Sequence, residues 1–159
     1  MQNKENKIVV ILHDIRSVEN VGSIFRTADA AGVSKIFLSG ITPTPLDRFG
    51  RKRRDMAKVS LGAEETVLWE KTEDVNSLIR QLKEGNFFIV AIEQGIRAVS
   101  YTRVPKSKKI AFVFGNEVGG VPTALLDTCE MIAEIPMAGK KESLNVAVAA
   151  GIVLFQYRE

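Results

Sequence analysis

The sequence predicts an α/β fold in which helices cover both faces of a mostly parallel sheet. Short apolar runs rich in β-branched and aromatic residues alternate with helical stretches along nearly the whole chain. Continuous apolar runs are typical of strands that are buried on both faces, as in a parallel sheet. With 159 residues, 45% of them hydrophobic and 26% charged, the composition suits one domain with a sizeable core. We therefore expect a single domain over residues 1–159.

Six strands are predicted from the apolar runs, at residues 7–13, 35–39, 66–69, 87–92, 110–114 and 131–134. Helices are predicted between them at 21–31, 54–61, 73–84 and 123–128, and a further helix ends the chain. Strands that alternate with helices indicate α/β layers. The connection 40–50 contains two prolines and is expected to be exposed.

The C-terminal helix is predicted to be buried on most sides. Between Leu144 and Phe155 every residue is apolar except Asn145 and Gly151, so this helix has no wide polar face. Ser143 is a suitable N-cap at its start. Because such a helix needs apolar partners on more than one flank, we expect a homodimer.

Composition excludes several classes of protein. The apolar run near the N-terminus is too short for a signal or membrane-spanning segment, which predicts a cytoplasmic protein with no membrane partner. Cys129 is the only cysteine and His13 the only histidine. An internal disulfide and a zinc site built from Cys and His are therefore excluded, and no Asp/Glu cluster suggests another metal.

Positive charge is concentrated in one loop. The net charge of +3 is modest, but a run of seven residues contains Arg48, Arg51, Lys52, Arg53 and Arg54. Such runs are usually solvated surface, and they also suit a polyanion such as nucleic acid. Charge alone leaves both interpretations open.

Three segments follow predicted strands, at the edge where open α/β sheets bind ligands. The first contains Asn20 and Arg26, the second is the glycine-rich stretch 114–122, and the third is the loop that carries Ser143 and Asn145. Each has an ordinary explanation when taken singly: a capping asparagine and a surface arginine, a tight turn, and a capped buried helix.

Taken together, the three segments resemble the SpoU class of the SPOUT superfamily, which consists of RNA ribose 2′-O-methyltransferases. The matching motifs are Asn20-x-Gly22-x-x-x-Arg26-Thr-Ala, Gly115-Asn-Glu117-x-Gly-Gly and Ile135-Pro-Met-x-Gly-x-x-x-Ser143-Leu-Asn145-Val. The resemblance extends from Ile8 to Tyr157 and includes the segment 59–64, which is similar to the family's linker between the second and third strands. It implies a C-terminal trefoil knot and a dimer that completes the active site.

The resemblance implies S-adenosylmethionine as methyl donor and a ribose 2′-hydroxyl of RNA as acceptor. This hydroxyl is a poor nucleophile until its proton is moved or its developing charge is stabilised. The family pattern implies Arg26 as the base, with the groups around it oriented by Asn20, Glu117, Ser143 and Asn145. Because a guanidinium normally stays protonated, the alternative role of Arg26 is a cationic clamp on the alkoxide or on a neighbouring phosphate.

The same resemblance implies a cofactor site made of Ala91, Gly115, Asn116, Ile135, Met137 and Leu144. Small residues there let the backbone approach the ligand closely. Several relatives carry a separate RNA-binding domain, whereas this sequence matches only the catalytic part, so we expect no separate RNA-binding domain. RNA contacts are then expected from the basic loop, from Lys106, Lys108 and Lys109, from Lys140 and Lys141, or from a second subunit. Transfer RNA is the first candidate substrate and ribosomal RNA the second; no DNA substrate is expected.

Two other classes compete with this interpretation. One is an RNA-binding protein that has kept the fold and lost turnover, and the intact set of motif residues argues against it. The other is a nucleotide-dependent oxidoreductase, which would carry the fingerprint G-x-G-x-x-G. The glycines at 115, 119 and 120 do not form that pattern. The sequence therefore favours an RNA 2′-O-methyltransferase.

Overall fold

A computed structural model describes residues 6–158; residues 1–5 and 159, the ends of the predicted domain, lie outside the described residues. The strands are β1 (Lys7–His13), β2 (Lys35–Ser39), β3 (Leu68–Thr72), β4 (Phe88–Ile92), β5 (Val99–Ser100), β6 (Lys109–Phe114) and β7 (Met131–Glu134). The α-helices are α1 (Val18–Ala31), α2 (Arg54–Ser60), α3 (Ala63–Thr66), α4 (Val75–Glu84), α5 (Thr123–Leu126) and α6 (Val146–Arg158), and a short 3-10 helix spans Tyr101–Arg103. All strand pairs are parallel, in the order β3-β2-β1-β6-β4-β7-β5. The predicted α/β fold is confirmed.

The core consists of two apolar layers on opposite faces of the sheet. Alternation along β1 shows the division: Val10 and Leu12 pack in the layer that contains α1 and α6, while Val9 and Ile11 pack in the layer that contains α4. Side chains of successive strand residues point to opposite faces, and both faces are covered. This is why the central strands read as unbroken apolar runs.

The largest error in the predicted elements concerns residues 66–69, which were expected to form a strand. Thr66 instead ends the short helix α3, where its Oγ1 donates to Asp29 Oδ1 at 2.9 Å and to the carbonyl of Ala63 at 3.3 Å. A β-branched residue next to an apolar run favours a strand locally, and here tertiary hydrogen bonds decide otherwise. Helix α3 and the two-residue strand β5 were not predicted.

Helix α6 buries one face in this protomer, so the prediction that it is buried on most sides is wrong for the single chain. Its buried residues are Ala150, Val153, Leu154 and Tyr157. On the opposite face, Val148 is 51% exposed and Phe155 is 39% exposed. Positions 148, 152 and 155 share that face, because residues four and seven apart align on a helix. No helix within residues 6–158 is long and apolar enough to cross a lipid bilayer.

Parallel pairing places the carboxyl ends of all seven strands at one edge of the sheet. The loops after β1, β6 and β7, which contain the three motif segments, therefore gather at this edge. The trefoil knot is compatible with this strand order and stays a prediction from the resemblance.

Candidate active site

A cleft of about 380 Å³ opens at the carboxyl edge, at the ends of β4, β6 and β7. Five of the six predicted cofactor residues line it: Gly115, Asn116, Ile135, Met137 and Leu144. The sixth, Ala91, is fully buried inside β4, and the three residues that follow it, Ile92, Glu93 and Gln94, line the cleft instead. One wall of the cleft is therefore the glycine-rich loop after β6, and the other is the loop before α6, which contributes both apolar and polar side chains.

The loop after β6 folds back on itself. Asn116 and Gly120 exchange main-chain hydrogen bonds of 3.1 and 2.9 Å. A Cβ on Gly115 would lie 2.5 Å from the carbonyl of Gly120, closer than side chains pack, so this position requires glycine. The Asn116 Oδ1 accepts from the N–H groups of Val118 and Gly119, both at 2.9 Å. These contacts fix the backbone along the cleft wall.

Glu93 anchors the far end of this loop, and sequence reasoning missed it. Its Oε2 accepts from the N–H of Val121 at 2.8 Å. Its carboxylate also occupies the space into which a Cβ on Gly120 would project, and Gly120 has a φ of 68°. Only glycine adopts that conformation without strain and leaves room for the carboxylate. The available signal was an acidic residue directly after a buried strand.

Three motif residues from distant parts of the chain are joined by hydrogen bonds beside the cleft. Asn145 Nδ2 donates to Asn20 Oδ1 at 3.1 Å, and Asn20 Nδ2 donates to Glu117 Oε1 at 3.2 Å. The Asn20 side chain is available for this network because Ser17, not Asn20, caps α1. The alternative of a merely capping Asn20 is therefore wrong.

The Glu117 carboxylate accepts two further hydrogen bonds, from the N–H groups of Arg16 at 3.1 Å and Ser17 at 3.0 Å. Partial burial alone would raise the pKa of this carboxyl. The bonds from Ser17, Arg16 and the Asn20 side chain outweigh burial and place the pKa of Glu117 below its ordinary value. Glu117 is therefore ionised at neutral pH, and it fixes the entry to α1 as a hydrogen-bond acceptor.

Replacing Glu117 with glutamine is expected to lower the free energy of unfolding by about 1 kcal/mol at pH 7, because an amide offers one acceptor oxygen in place of two. The figure is small because the group is partly solvated. A carboxyl whose pKa is lower in the folded state than in the unfolded state stabilises the fold at pH values above its unfolded-state pKa. This stabilisation is lost as the pH falls through the folded-state pKa.

The difference between wild type and Glu117→Gln should thus shrink below about pH 4. Urea unfolding of both proteins at neutral and at acid pH measures it. A difference that is equal at both pH values would contradict the ionised acceptor role.

Asn145, not Ser143, caps α6, so the prediction of a Ser143 cap is wrong. The Asn145 Oδ1 accepts from the N–H groups of Ala147 at 2.8 Å and Val148 at 3.3 Å. Both residue types are good caps, and the bond from Asn145 to Asn20 holds the asparagine at the position where the helix begins. Ser143 lies exposed in the preceding loop and lines the cleft.

Arg26 stands apart from this network in the single chain. It is exposed on α1, about 120° around the helix axis from Asn20 and about 9 Å along it. It does not line the cleft, and no side-chain hydrogen bond or ion pair of Arg26 is found within residues 6–158. The structure brings together Asn20, Glu117 and Asn145, and it does not bring Arg26 to them within one protomer.

The five basic loop residues divide into two groups. Arg53 forms two hydrogen bonds with Asp55, of 3.2 and 2.9 Å, and Lys52 is paired with Glu65. The guanidinium groups of Arg48 and Arg51 lie over the ring of Phe49, at 4.8 and 5.0 Å from its centroid. Arg48, Arg51 and Arg54 have no carboxylate partner in the described part of the chain.

Fold and cleft together define an α/β protein that binds a small ligand at the carboxyl edge of a parallel sheet, in loops rich in main-chain hydrogen-bonding groups. The chain belongs to the SpoU rRNA Methylase family, whose model matches residues 7–155.

Three relatives illustrate the membership. The chain is 34% identical to the 23S rRNA (guanosine-2′-O-)-methyltransferase RlmB of Neisseria meningitidis serogroup B over 155 residues, which are 97% of this chain and 59% of that protein. The AdoMet-bound rRNA methyltransferase from Sinorhizobium meliloti matches with a TM-score of 0.87 and 33% identity, over 97% of this chain and 56% of that one. The A. aeolicus TrmH/SpoU tRNA modifying enzyme matches with a TM-score of 0.84 and 26% identity, over 98% of this chain and 77% of that one. The chain thus spans about three fifths of the length of the curated relatives it matches.

Proposed function

We propose that this protein transfers a methyl group from S-adenosylmethionine to a ribose 2′-hydroxyl of RNA. The observation that carries the proposal is the hydrogen-bonded chain from Asn145 through Asn20 to Glu117, which joins the three family motifs beside one cleft. The AdoMet-bound structure of the S. meliloti relative supports the choice of cofactor. The cytoplasmic location predicted from the sequence belongs to the same proposal.

The residues of the cleft fit this cofactor. A volume of about 380 Å³ lies in the range of small-molecule sites. Gly115, Gly119 and Gly120 line the cleft and, having no side chains, present only backbone atoms to adenine and ribose. Met137 and Leu144 offer apolar surface. A bound cofactor would supply an electrophilic methyl group on a sulfonium, and its sulfur would be the leaving group for the attacking ribose oxygen.

The polar residues have separate roles in the proposal. Glu117, held ionised by its N–H donors, fixes the α1 entry, and Asn20 and Asn145 complete a rigid rim on which the acceptor ribose is oriented. Ser143 lies in the same rim with an exposed hydroxyl. Arg26 either accepts the 2′-hydroxyl proton or, with the proton leaving to solvent, stabilises the alkoxide.

A homodimer through the exposed face of α6 is part of the proposal. The face centred on Val148 and Phe155 is apolar and partly exposed, with the Arg158 guanidinium over the Phe155 ring at 5.1 Å from its centroid. Arg26 lies next to this face, since its neighbour Thr27 packs against Gly151, with 3.7 Å between Thr27 Cγ2 and the position of a Cβ on Gly151. A second copy seated here would cover the face, and the family resemblance implies that the dimer completes the active site.

Phe155→Glu is expected to convert a dimer into a monomer, because it places a charge in the centre of the apolar face. Light scattering at micromolar concentration measures the change. Leu68→Glu is the matched control, because Leu68 is an exposed apolar residue on the edge strand β3 and not on α6. This variant should remain dimeric. A monomeric wild-type protein with full activity would show that the argument from α6 is wrong.

The basic loop is proposed to contact RNA phosphates through Arg48 and Arg51. Each phosphate contact contributes about 0.7 to 0.9 to the slope of log affinity against log salt concentration. Arg48→Ser with Arg51→Ser should therefore weaken RNA binding and reduce this slope by about 1 to 2, with cofactor affinity unchanged.

The control pair for this prediction is Lys7→Ser with Arg80→Ser. It makes the same change in charge at two exposed basic residues, Lys7 at the amino end of β1 and Arg80 on α4. If the Arg48/Arg51 double variant and the wild type show the same dependence of RNA affinity on salt concentration, the loop does not contact RNA phosphates and is only solvated surface.

Methyl transfer from labelled S-adenosylmethionine to separate tRNA and rRNA fractions, followed by nucleoside analysis, tests the function. We expect a 2′-O-methylated nucleoside. Transfer RNA remains the first candidate, and the 34% identity to a 23S rRNA enzyme supports ribosomal RNA as the second. Cofactor and RNA binding without transfer to either fraction would favour the alternative of a catalytically silent RNA-binding protein.

A further inference from the structure

A second groove lies at the carboxyl ends of β2 and β3, apart from the cleft. Residues within 41–55, together with Lys71, line its volume of about 870 Å³. Exposed apolar side chains, Ile41, Leu46 and Phe49, lie in it next to the unpaired arginines. A loop that served solubility alone would need no exposed aromatic ring between positive charges.

The loop that presents Phe49 has a defined shape. Asp47 Oδ1 accepts from the N–H groups of Phe49 at 2.8 Å and Arg51 at 2.9 Å, and the Asp47 N–H donates to the carbonyl of Arg51 at 2.7 Å. Leu46 and Lys52 form an antiparallel pair at the base of the turn. This turn holds the Phe49 ring outside the core, 64% exposed, so its exposure is built into the loop.

The surroundings of the ring suit a nucleobase. Arg48 and Arg51 place their guanidinium groups over it, within the range of cation–π contacts. Aromatic rings and guanidinium planes are the surfaces on which unstacked RNA bases stack, and the two positive charges suit the RNA backbone that carries such a base. Bases inside a duplex are already stacked on their neighbours and cannot use such a surface.

We propose that this groove, the Phe49 groove, binds an unstacked base of single-stranded RNA. The inference rests on the proposed RNA methyl transfer and specifies its substrate class as an RNA loop, bulge or end. Strands are spaced about 4.8 Å apart, so β2 and β6 are separated by about 10 Å, a span that the same RNA segment can bridge.

Asp14 connects the groove to the cleft. Its Oδ1 accepts from the N–H of Ile41 at 3.0 Å, and its carbonyl accepts from Asn116 Nδ2 at 2.7 Å. Asp14 is held at a φ of 55°, and a Cβ on Gly40 would collide with its carboxylate. One residue thus sets the position of both the groove loop and the cleft loop, which fixes the distance between the two sites.

Binding of a fluorescein-labelled single-stranded oligoribonucleotide, measured by anisotropy, tests the proposal without requiring methyl transfer. Phe49→Ala should raise the Kd about fivefold to a hundredfold, the effect of one stacked base, with an unchanged salt slope. Phe49→Trp should bind at least as well as wild type. Leu68→Ala is the control, since it removes an apolar side chain that is 69% exposed outside both sites.

A Phe49→Ala variant that binds the single strand as tightly as wild type overturns the proposal. So does an equal loss of affinity for a fully paired duplex of the same sequence, because the groove would not then select unstacked bases. If RNA binding does not depend on Phe49 while the wild type methylates RNA normally, only the inference about the groove is wrong. If RNA binding depends on Phe49 but no RNA is methylated, only the proposed function is wrong.

Discussion

Arg26→Ala is expected to reduce the single-turnover rate of methyl transfer by about a hundredfold or more, with RNA and cofactor both saturating. Groups that stabilise developing charge in a transition state contribute effects of this size. Arg26 does not line the cleft of its own protomer, so the variant should stay folded and bind S-adenosylmethionine as wild type does. Rapid-quench measurement of labelled RNA and calorimetry of cofactor binding check the two halves of the prediction.

Arg80→Ala is the matched control, because Arg80 is an exposed helical arginine on α4, in the other layer of the fold. Arg26→Lys separates the two roles left open for the arginine, since lysine keeps the charge, loses the planar fork and titrates more readily. Restored activity with a shifted pH profile favours proton transfer or simple charge. A near-normal rate in Arg26→Ala would remove Arg26 from the chemical step.

The fold was predictable because its central strands are covered on both faces. Strands β1 and β2 begin and end at the predicted residues, since their apolar runs have sharp polar boundaries. Errors concentrate where few apolar contacts decide the conformation. The two-residue strand β5 has no apolar run in the sequence that would predict it. Thr66 takes its conformation from a hydrogen bond to Asp29, which is 37 residues away in the chain.

Part of the hydrogen-bonded cluster beside the cleft was predictable from the sequence, and its geometry was not. Resemblance identified Asn20, Glu117 and Asn145, but the contacts among them join positions 97 and 125 residues apart, which only the completed sheet brings together. Asp14 and Glu93 were missed, although both are acidic residues next to the carboxyl ends of apolar strands. In a parallel sheet such positions lie at the ligand-binding edge, so an acidic residue directly after an apolar strand is a candidate for holding a loop at that edge.

The apolar character of α6 was visible in the sequence, and its distribution of burial was not. Periodicity cannot separate a helix covered by its own chain from one covered by a second copy, because both lack a polar face. The structure shows which face the chain itself covers, since Ala150 and Leu154 are fully buried while Val148 is half exposed. Of the two apolar flanks that were expected, one is found inside the protomer, and the other stays with the proposed dimer.

Gly115→Ala is expected to weaken S-adenosylmethionine binding about tenfold to a hundredfold. The added Cβ would lie 2.5 Å from the carbon and oxygen of the Gly120 carbonyl, both backbone atoms, so no side chain can move aside to accommodate it. The loop must open, and overpacking of this kind costs about 1 to 3 kcal/mol, which is the source of the expected loss. Calorimetric titration of the purified protein with S-adenosylmethionine measures the change.

Gly119→Ala provides the control within the same loop. Its added Cβ would meet only Asn116 Oδ1, at 3.7 Å, which is ordinary van der Waals contact, so this variant should bind the cofactor nearly as wild type does. Leu144→Arg tests the opposite wall of the cleft with the loop intact and should also lose affinity, because it places a charge on apolar surface. If Gly115→Ala and Leu144→Arg both bind S-adenosylmethionine normally, the cofactor occupies another part of the protein. If only the glycine variant binds normally, the loop after β6 tolerates opening and the wall before α6 carries the affinity.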